Sequence, residues 1–430
     1  MQRTSLIVFG DLLSFWTSFV LILYLRYGNS SFEAEALKHL DPFIILYFSW
    51  VLVFYLFGLY DLFKIKPTIP HLKQFGLAVL VSFVIGAVFF YFVPIFGVAP
   101  KTNLIYQIAS FGLLSFIFRR IVYSLYSSQI VRPAILVGKT PYLEELNATI
   151  NNNPQIGLKI VSYTTDLNTA LKKYSSLKDS VFVFENVTEK ISDKDVISLY
   201  ENNIEVIDVA RAYERYLYKI PVGYISQTWT IENINTSKNL VYDAITRVLD
   251  IIFSIFVLIV LSPILLIALL FIYFYDRGPT VYSQERIGLN GKVFKLFKLR
   301  SMIVDSEING AVWAKKNDFR ITPVGRILRK IHLDEIPQMM NVLKGDITLV
   351  GPRPERPEFV SLLTNTIPNY GLRHIIKPGF TGWAQIKFRY ARTEGDSKEK
   401  FEYDLYYIKN RNLFMNFGII LRTIQIIFTH

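Results

Sequence analysis

The chain contains no cysteine. That excludes disulfides, thiolate nucleophiles and Cys-ligated zinc, and it fits a reducing compartment. Histidine is scarce as well: His39, His71, His332, His374 and His430 are scattered, so no His/Cys cluster suited to a transition metal is present. Acidic residues are outnumbered 35 to 47, leaving a net charge of +12. Charged residues of both signs make up only 19% against 51% hydrophobic, with 34 Phe, 26 Tyr and a mean hydropathy of +0.31. A chain this apolar is a membrane protein rather than a nucleic-acid binder. Its positive balance suits anionic lipid and phosphate partners.

Four apolar segments come first, Leu6–Tyr24, Phe43–Phe63, Phe75–Phe96 and Leu104–Tyr126. Each is about the 20 residues that cross a bilayer core. No small-residue cleavage site follows the first, so it reads as a span and not a signal peptide. Lys64, Lys66 and Lys73 follow the second segment, and Arg119, Arg120 and Arg132 end the fourth. The first connection instead holds Glu33, Glu35 and Asp41 against Lys38. The positive-inside rule then puts the N-terminus, the second connection and everything after Arg132 in the cytoplasm. Asp11 lies within the first span, near its cytoplasmic end, where it either pairs with a base or reaches water.

After Arg132 the chain turns polar. Strands at Pro133–Gly138, Lys159–Tyr163 and Val181–Phe184, with a helix at Tyr142–Asn151, predict a small parallel α/β, Rossmann-like module over residues 131–230. It lacks the phosphate loops that such modules carry. Gly138-Lys139-Thr140 resembles a P-loop end, but Pro133 stands where the first glycine belongs. The dinucleotide fingerprint fails at Thr140 and Leu143. Asp193-Lys194-Asp195 has a D-x-D form but reads as a solvated helix start.

Residues 251–275 form a further apolar run, with Arg247 before it, Arg277 after it and Ser262-Pro263 inside. If it crossed, Lys292, Lys295, Lys298, Arg300, Arg326, Arg329 and Lys330 would lie outside the cell, against the positive-inside rule. Proline removes a helical hydrogen bond, and the neighbouring hydroxyl can satisfy the freed carbonyl. A helix that enters, turns at Ser262-Pro263 and leaves on the same face meets these constraints; an ordinary fifth span is the alternative.

Chemistry concentrates between Tyr282 and Asn410. Thr322-Pro323 predicts a helix start, with Arg326, Arg329 and Lys330 along the helix to about His332. A second helix is expected from Asp334-Glu335 to Gly345, because Pro337 is tolerated in a first turn. There the helix dipole would keep a carboxylate ionised and favour a phosphate beside it. An ionised aspartate next to a charge-neutralised diphosphate is a competent phosphoryl acceptor. A plain helix cap is the bland reading of the same residues. Adjacent carboxylates, with Cα atoms about 3.8 Å apart, cannot flank a sugar as a glycosidase needs. Arg353, between Pro352 and Pro354, offers a guanidinium on a stiff backbone for bidentate phosphate binding. Leu413–Phe428 is an amphipathic run suited to the interface.

The ordered motifs are YSQERIG at 282–288, KLRSM at 298–302, the stretch from Thr322 to Glu355, KPGFTGWAQI at 377–386 and YDLYYIKN at 403–410. Together they resemble the catalytic domain of the bacterial sugar transferase family, the monotopic polyprenol-phosphate phosphoglycosyltransferases, over about Leu240–His430. Leu299 departs from the family's usual Phe, a conservative apolar exchange. The resemblance implies a domain at 1–130 with a bundle of four transmembrane helices and the α/β module at 131–230. It implies a mainly α monotopic catalytic domain at 240–430, with a re-entrant helix and amphipathic interfacial helices. Asp334 falls on the nucleophile and Glu335 on its partner, both also expected as Mg²⁺ ligands. Lys298, Arg300, Arg326, Arg329 and Arg353 are the expected phosphate and nucleotide contacts, and Ser262 and Pro263 the re-entrant turn. The implied reaction moves a sugar-1-phosphate from a nucleotide sugar, with UDP the expected carrier, to undecaprenyl phosphate through a phosphosugar-aspartate. The implied place is the cytoplasmic face of the bacterial inner membrane, among its lipids. The α/β module is a natural surface for a homodimer, and nucleic acid is not an expected partner. A catalytically dead scaffold would have lost the dyad or the basic motifs, and a sugar-nucleotide dehydratase would need the missing glycine loop.

Overall fold

The computed structural model describes residues 2–60, 68–93, 101–129, 131–185, 193–234, 240–304, 318–388 and 393–428. Phe63, Lys64, Lys66, Phe96 and His430 lie outside the described residues. The chain divides into two compact units, Met1–Val209 and Ala210–His430.

The first unit opens with α1 (Gln2–Leu56), which holds both of the first two apolar segments. Its helical geometry breaks at Gly28, where φ is 63° and ψ −178°. Glycine adopts a positive φ without the steric cost a side chain would bring. The halves on either side fold back on each other. Phe15 packs edge-on against Tyr47 and Trp50, with centroids 5.1 and 5.4 Å away, and Phe19 meets Phe43 at 5.4 Å. Such pairings, with one number rising as the other falls, are those of an antiparallel hairpin. The third and fourth segments are α2 (Ile69–Phe92) and α3 (Lys101–Ser124). Asp11 does not reach water: it is fully buried and ion-paired with Arg119 of α3. Ser115 Oγ donates to its other oxygen at 2.6 Å, and Arg119 also donates to the Leu59 carbonyl at 2.9 Å. Arg119 is therefore an interior clasp between helices rather than part of a basic flank.

The same unit carries a four-stranded, all-parallel sheet of order β2-β1-β3-β4. Its elements run β1 (Arg132–Val137), α4 (Pro141–Asn152), β2 (Leu158–Thr164), α5 (Leu167–Tyr174), β3 (Val181–Phe184), α6 (Asp193–Glu201) and β4 (Glu205–Asp208). The three anticipated strands are present within a residue or so at each end. β4 carries no mark in the sequence, because Glu205-Val206-Ile207-Asp208 is too short to show a period. Thr140 caps α4 by accepting from Leu143 N, and the Glu185 carboxylate accepts from Lys139 N at 2.9 Å. A backbone N–H that a phosphate loop would offer is thus taken by the protein's own carboxylate.

The boundary helix α7 (Val209–Tyr216) leads into the second unit, followed by α8 (Gln227–Asn233) and the long α9 (Leu240–Asp276). Next come the antiparallel hairpin β5 (Val281–Ile287) and β6 (Val293–Leu299), then α10 (Pro323–Lys330) and α11 (Gln338–Lys344). A short parallel pair, β7 (Thr348–Val350) and β8 (Gly379–Thr381), is flanked by α12 (Pro357–Thr366), α13 (Trp383–Lys387), α14 (Glu394–Asn410) and α15 (Leu413–Phe428). A side chain on Gly379 would meet Gly351 N at 2.0 Å, so only glycine lets these two backbones approach. Residues from Ile220 to Ile234 join the core of this unit with Leu296, Val342, Leu349, Phe401 and Leu405.

α9 is helical throughout with Pro263 inside it, and both of its arms, before and after the proline, pack on the same unit. Arg247 donates to the carbonyls of Val342 and Leu343, each at 2.6 Å, and Asp250 accepts from Leu349 N at 3.0 Å. Beyond Pro263, Ala268 and Ile272 pack with Leu299, Leu328 and Leu333. Between the arms Ser262 Oγ donates to the Ile259 carbonyl at 2.7 Å, the group that proline at 263 leaves without its helical donor. Among the described residues four helical stretches are long and apolar enough to cross a membrane: Ser5–Leu56, Ile69–Phe92, Thr102–Ser127 and Leu240–Asp276. The protein is a membrane protein.

Candidate active site

Thr322 accepts from Gly325 N and starts α10 with Pro323 in its first turn, as the sequence predicts. The dyad does not sit at the N-terminus of an α-helix. Leu333–Glu335 form a separate 3₁₀ turn, and α11 begins only at Gln338, after Pro337. Ile336 (φ −59°, ψ −34°) and Pro337 (φ −56°, ψ −18°) keep helical dihedrals, but proline has no N–H to give to the ladder, so the α-helix proper begins only after it. It ends at Gly345, whose φ of 85° is left-handed, as expected. His332, at φ 56°, also adopts the left-handed conformation and turns the chain out of α10 into the dyad.

The two carboxylates differ in what they touch. Glu335 takes Lys298 Nζ at 3.0 Å and Arg353 Nη2 at 2.5 Å, both on Oε1, with Arg353 Nη1 3.5 Å from Oε2. Burial pushes its pKa up, but the charges and hydrogen bonds of Arg353 and Lys298 outweigh this and hold it well below the usual range. Asp334 is buried and, among the described residues, makes no hydrogen bond or ion pair. Burial, aided by the neighbouring Glu335 charge, raises its pKa, against Lys298 and Arg329. The expected dipole-stabilised aspartate is therefore instead a desolvated one, and the strongly ionised member is Glu335.

Of the expected basic residues the structure brings Lys298 and Arg353 onto the dyad. Arg300 pairs with Asp276 at the end of α9. Arg329 donates to Ser301 Oγ at 2.8 Å while acting on Asp334 through its charge. Arg326 is exposed on α10. A second set of charges, not singled out from the sequence, lies behind Arg353. Glu355 pairs with Lys400 at 2.8 Å and Arg286 at 3.7 Å, and Arg373 with Asp404 at 2.9 Å. Lys400, Arg286 and Arg373 pull the Glu355 pKa down to about 2 despite its burial. Arg286, Glu355 and Asp404 lie in the motifs YSQERIG, Thr322–Glu355 and YDLYYIKN, but spacing does not reveal that α14 passes behind the Pro352–Glu355 loop. Among the described residues no group of three or more His, Asp or Glu could hold a metal unaided.

Long apolar helices and a domain that gathers a free carboxylate with several cations mark a membrane protein with a charged, partly buried site. Comparison with known proteins gives the class a name. Residues 241–430 match the family model described as bacterial sugar transferase. The chain is 38% identical over 240 residues to UDP-N-acetylgalactosamine-undecaprenyl-phosphate N-acetylgalactosaminephosphotransferase of Aeromonas hydrophila, covering 52% of this chain and 57% of that protein. It is 30% identical over 357 residues to UDP-glucose:undecaprenyl-phosphate glucose-1-phosphate transferase of Klebsiella pneumoniae, covering 78% and 74%. A Caulobacter vibrioides protein of that same name is 34% identical over 214 residues, covering 49% and 80%. The chain spans little more than half the Aeromonas protein but most of the other two. It belongs to the bacterial sugar transferase family.

Proposed function

We propose that the protein transfers a sugar-1-phosphate from a UDP-sugar to undecaprenyl phosphate, the first membrane step in building an exopolysaccharide, capsule or O-antigen. The observation that carries this reading is the buried Asp334 carboxylate, without a partner among the described residues and beside a Glu335 held by Lys298 and Arg353. A carboxylate engaged by no other group is available for attack, and the cations beside it suit a diphosphate. In the first step an Asp334 oxygen attacks the phosphorus that bears the sugar. The bond from that phosphorus to the bridging oxygen breaks, and UMP leaves with that oxygen and its electron pair. In the second step a phosphate oxygen of undecaprenyl phosphate attacks the same phosphorus, freeing the Asp334 carboxylate and giving the polyprenyl-diphosphate sugar. One phosphoanhydride replaces another, so no large driving force is required.

Mg²⁺ fits the donor set, since it takes one or two carboxylates together with phosphate oxygens. Asp334 and Glu335 would hold it, and it would neutralise charge on the diphosphate. Lys298 and Arg353 bind phosphate oxygens by exchanging part of their hold on Glu335. Arg329 adds positive charge at Asp334.

The two arms of α9 anchored on one domain, with the Ser262 bond across Pro263, support a re-entrant helix rather than a span. A straight run from Asp250 to Ile272 would cover about 33 Å. The basic flanks Arg247 and Arg277 support a cytoplasmic active site at the inner membrane. The all-parallel sheet supports a Rossmann-like reading of the middle module, which would serve folding or pairing of two copies rather than nucleotide binding. The direct test is UMP release from a panel of UDP-sugars. The reading requires release at a steady rate only when undecaprenyl phosphate is added; steady release without it would refute the transfer.

A further inference from the structure

The segment from Pro352 to Glu355 has no regular secondary structure, yet each of its four carbonyls is held. Gly379 N donates to Pro352 O at 2.9 Å, Arg373 Nη2 to Arg353 O at 3.0 Å, Arg286 Nη1 to Pro354 O at 3.0 Å and Ile287 N to Glu355 O at 3.0 Å. The two prolines fix φ on either side of Arg353. A loop clamped this way presents its one outward guanidinium in a single place. The clamp on Arg353 itself leads into a buried ion pair. Arg373 is 3% exposed and Asp404 1%, and the same Nη2 that reaches the Arg353 carbonyl also pairs with Asp404 Oδ2 at 2.9 Å. Nη1 of Arg373 donates to the Tyr370 hydroxyl, and that ring packs at a 57° tilt against Phe401 of α14, centroids 5.1 Å apart.

A buried ion pair gives little net stability against an apolar replacement, so stability alone does not account for one at this point. We infer that Asp404 and Arg373 are positioning residues: held by α14, they fix the Arg353 backbone so that its guanidinium meets the diphosphate without reorganising. This rests on the phosphate-binding reading of Arg353. Neither residue touches substrate, and each acts only through Arg353. Preorganised charge of this kind spares the reorganisation that a mobile arginine would have to undergo on binding.

A double-mutant cycle on the full-length protein tests it, read by calorimetric affinity for uridine diphosphate with Mg²⁺, so that turnover is not required. Asp404→Asn, which keeps size and an acceptor oxygen, should weaken UDP binding about tenfold in the native background. In an Arg353→Ala background the same change should cost less than twofold, because the group it positions is gone. Equal losses in both backgrounds, or no loss in the native one, would overturn the inference and leave the phosphate reading of Arg353 standing. Unchanged affinity in Arg353→Ala alone would instead strike that reading, and the inference with it. If Asp404→Asn does not fold by circular dichroism, the cycle is run with Tyr370→Phe, which deletes only the hydroxyl on Arg373. There about a threefold loss is expected in the native background and none without Arg353, with equal losses again decisive against it.

Discussion

Asp334 and Glu335 share one 3₁₀ turn and differ because Lys298 on β6 and Arg353 on its clamped loop both reach Glu335. That the pair lies among Lys298 and Arg353 was legible from residue types in order. Which carboxylate would be free was not, because that depends on strands and loops far away in sequence. The basic residues divide for the same reason. Lys298 and Arg300 both look like phosphate contacts in KLRSM, yet only Lys298 turns to the dyad, because Asp276 lies at hand for Arg300. Glu355 yields a pH prediction. Its folded pKa of about 2 lies below the ordinary 4.5, so its stabilising share is complete above about 4.5 and lost as pH falls toward 2. Glu355→Gln should therefore flatten the dependence of unfolding free energy on pH between those values, measured by denaturant titration. An unchanged slope would place the acid sensitivity on other groups.

At the scale of elements, hydrophobic period and caps foretold α10, α15 and the strands β1 to β3, because those signals are local. The first two spans are legible in the same way, since α1 breaks at Gly28 between them. The start of α11 after Pro337 depends on how the backbone settles at single residues, and residue type alone leaves that open. In α9 the Ser262 hydroxyl repairs the hydrogen bond that Pro263 removes. Pro263→Ala restores the backbone N–H and should let part of the population straighten. Cysteines placed at the two flanks, in a chain that has none of its own, would report it. The native sequence should label both flanks from one side, and the variant should label partly from two. Labelling of the native flanks from opposite sides would refute the re-entrant reading. The Asp11–Arg119 clasp gives a second prediction. Arg119→Ala leaves a carboxylate buried without its partner, which costs about 3–5 kcal/mol, whereas Asp11→Asn with Arg119→Met should recover most of it. Thermal unfolding of the detergent-solubilised protein distinguishes the two.

At the scale of the whole molecule, a change of composition after Arg132 made the polar middle module legible, but the sequence carries no mark of where the second unit begins. Lys219 is buried against Glu399 and Glu402, and Trp383 Nε1 donates to the Tyr218 carbonyl at 3.0 Å, so residues 210–234 belong with the catalytic core. A fragment starting at Ala210 should fold and retain measurable transfer. One starting after Ile234 should lose several degrees of melting temperature and most of its soluble yield; equal behaviour of the two fragments would count against this packing. The proposed transfer mechanism turns on Asp334. Full-length protein incubated with the UDP-sugar it accepts and no undecaprenyl phosphate should gain the mass of one sugar-phosphate. That mass should map to the peptide holding Asp334, disappear on adding undecaprenyl phosphate, and be absent in a folded Asp334→Asn variant. An Asp334→Asn variant that transfers sugar at the native rate, or an adduct mapped to another residue, would contradict the mechanism.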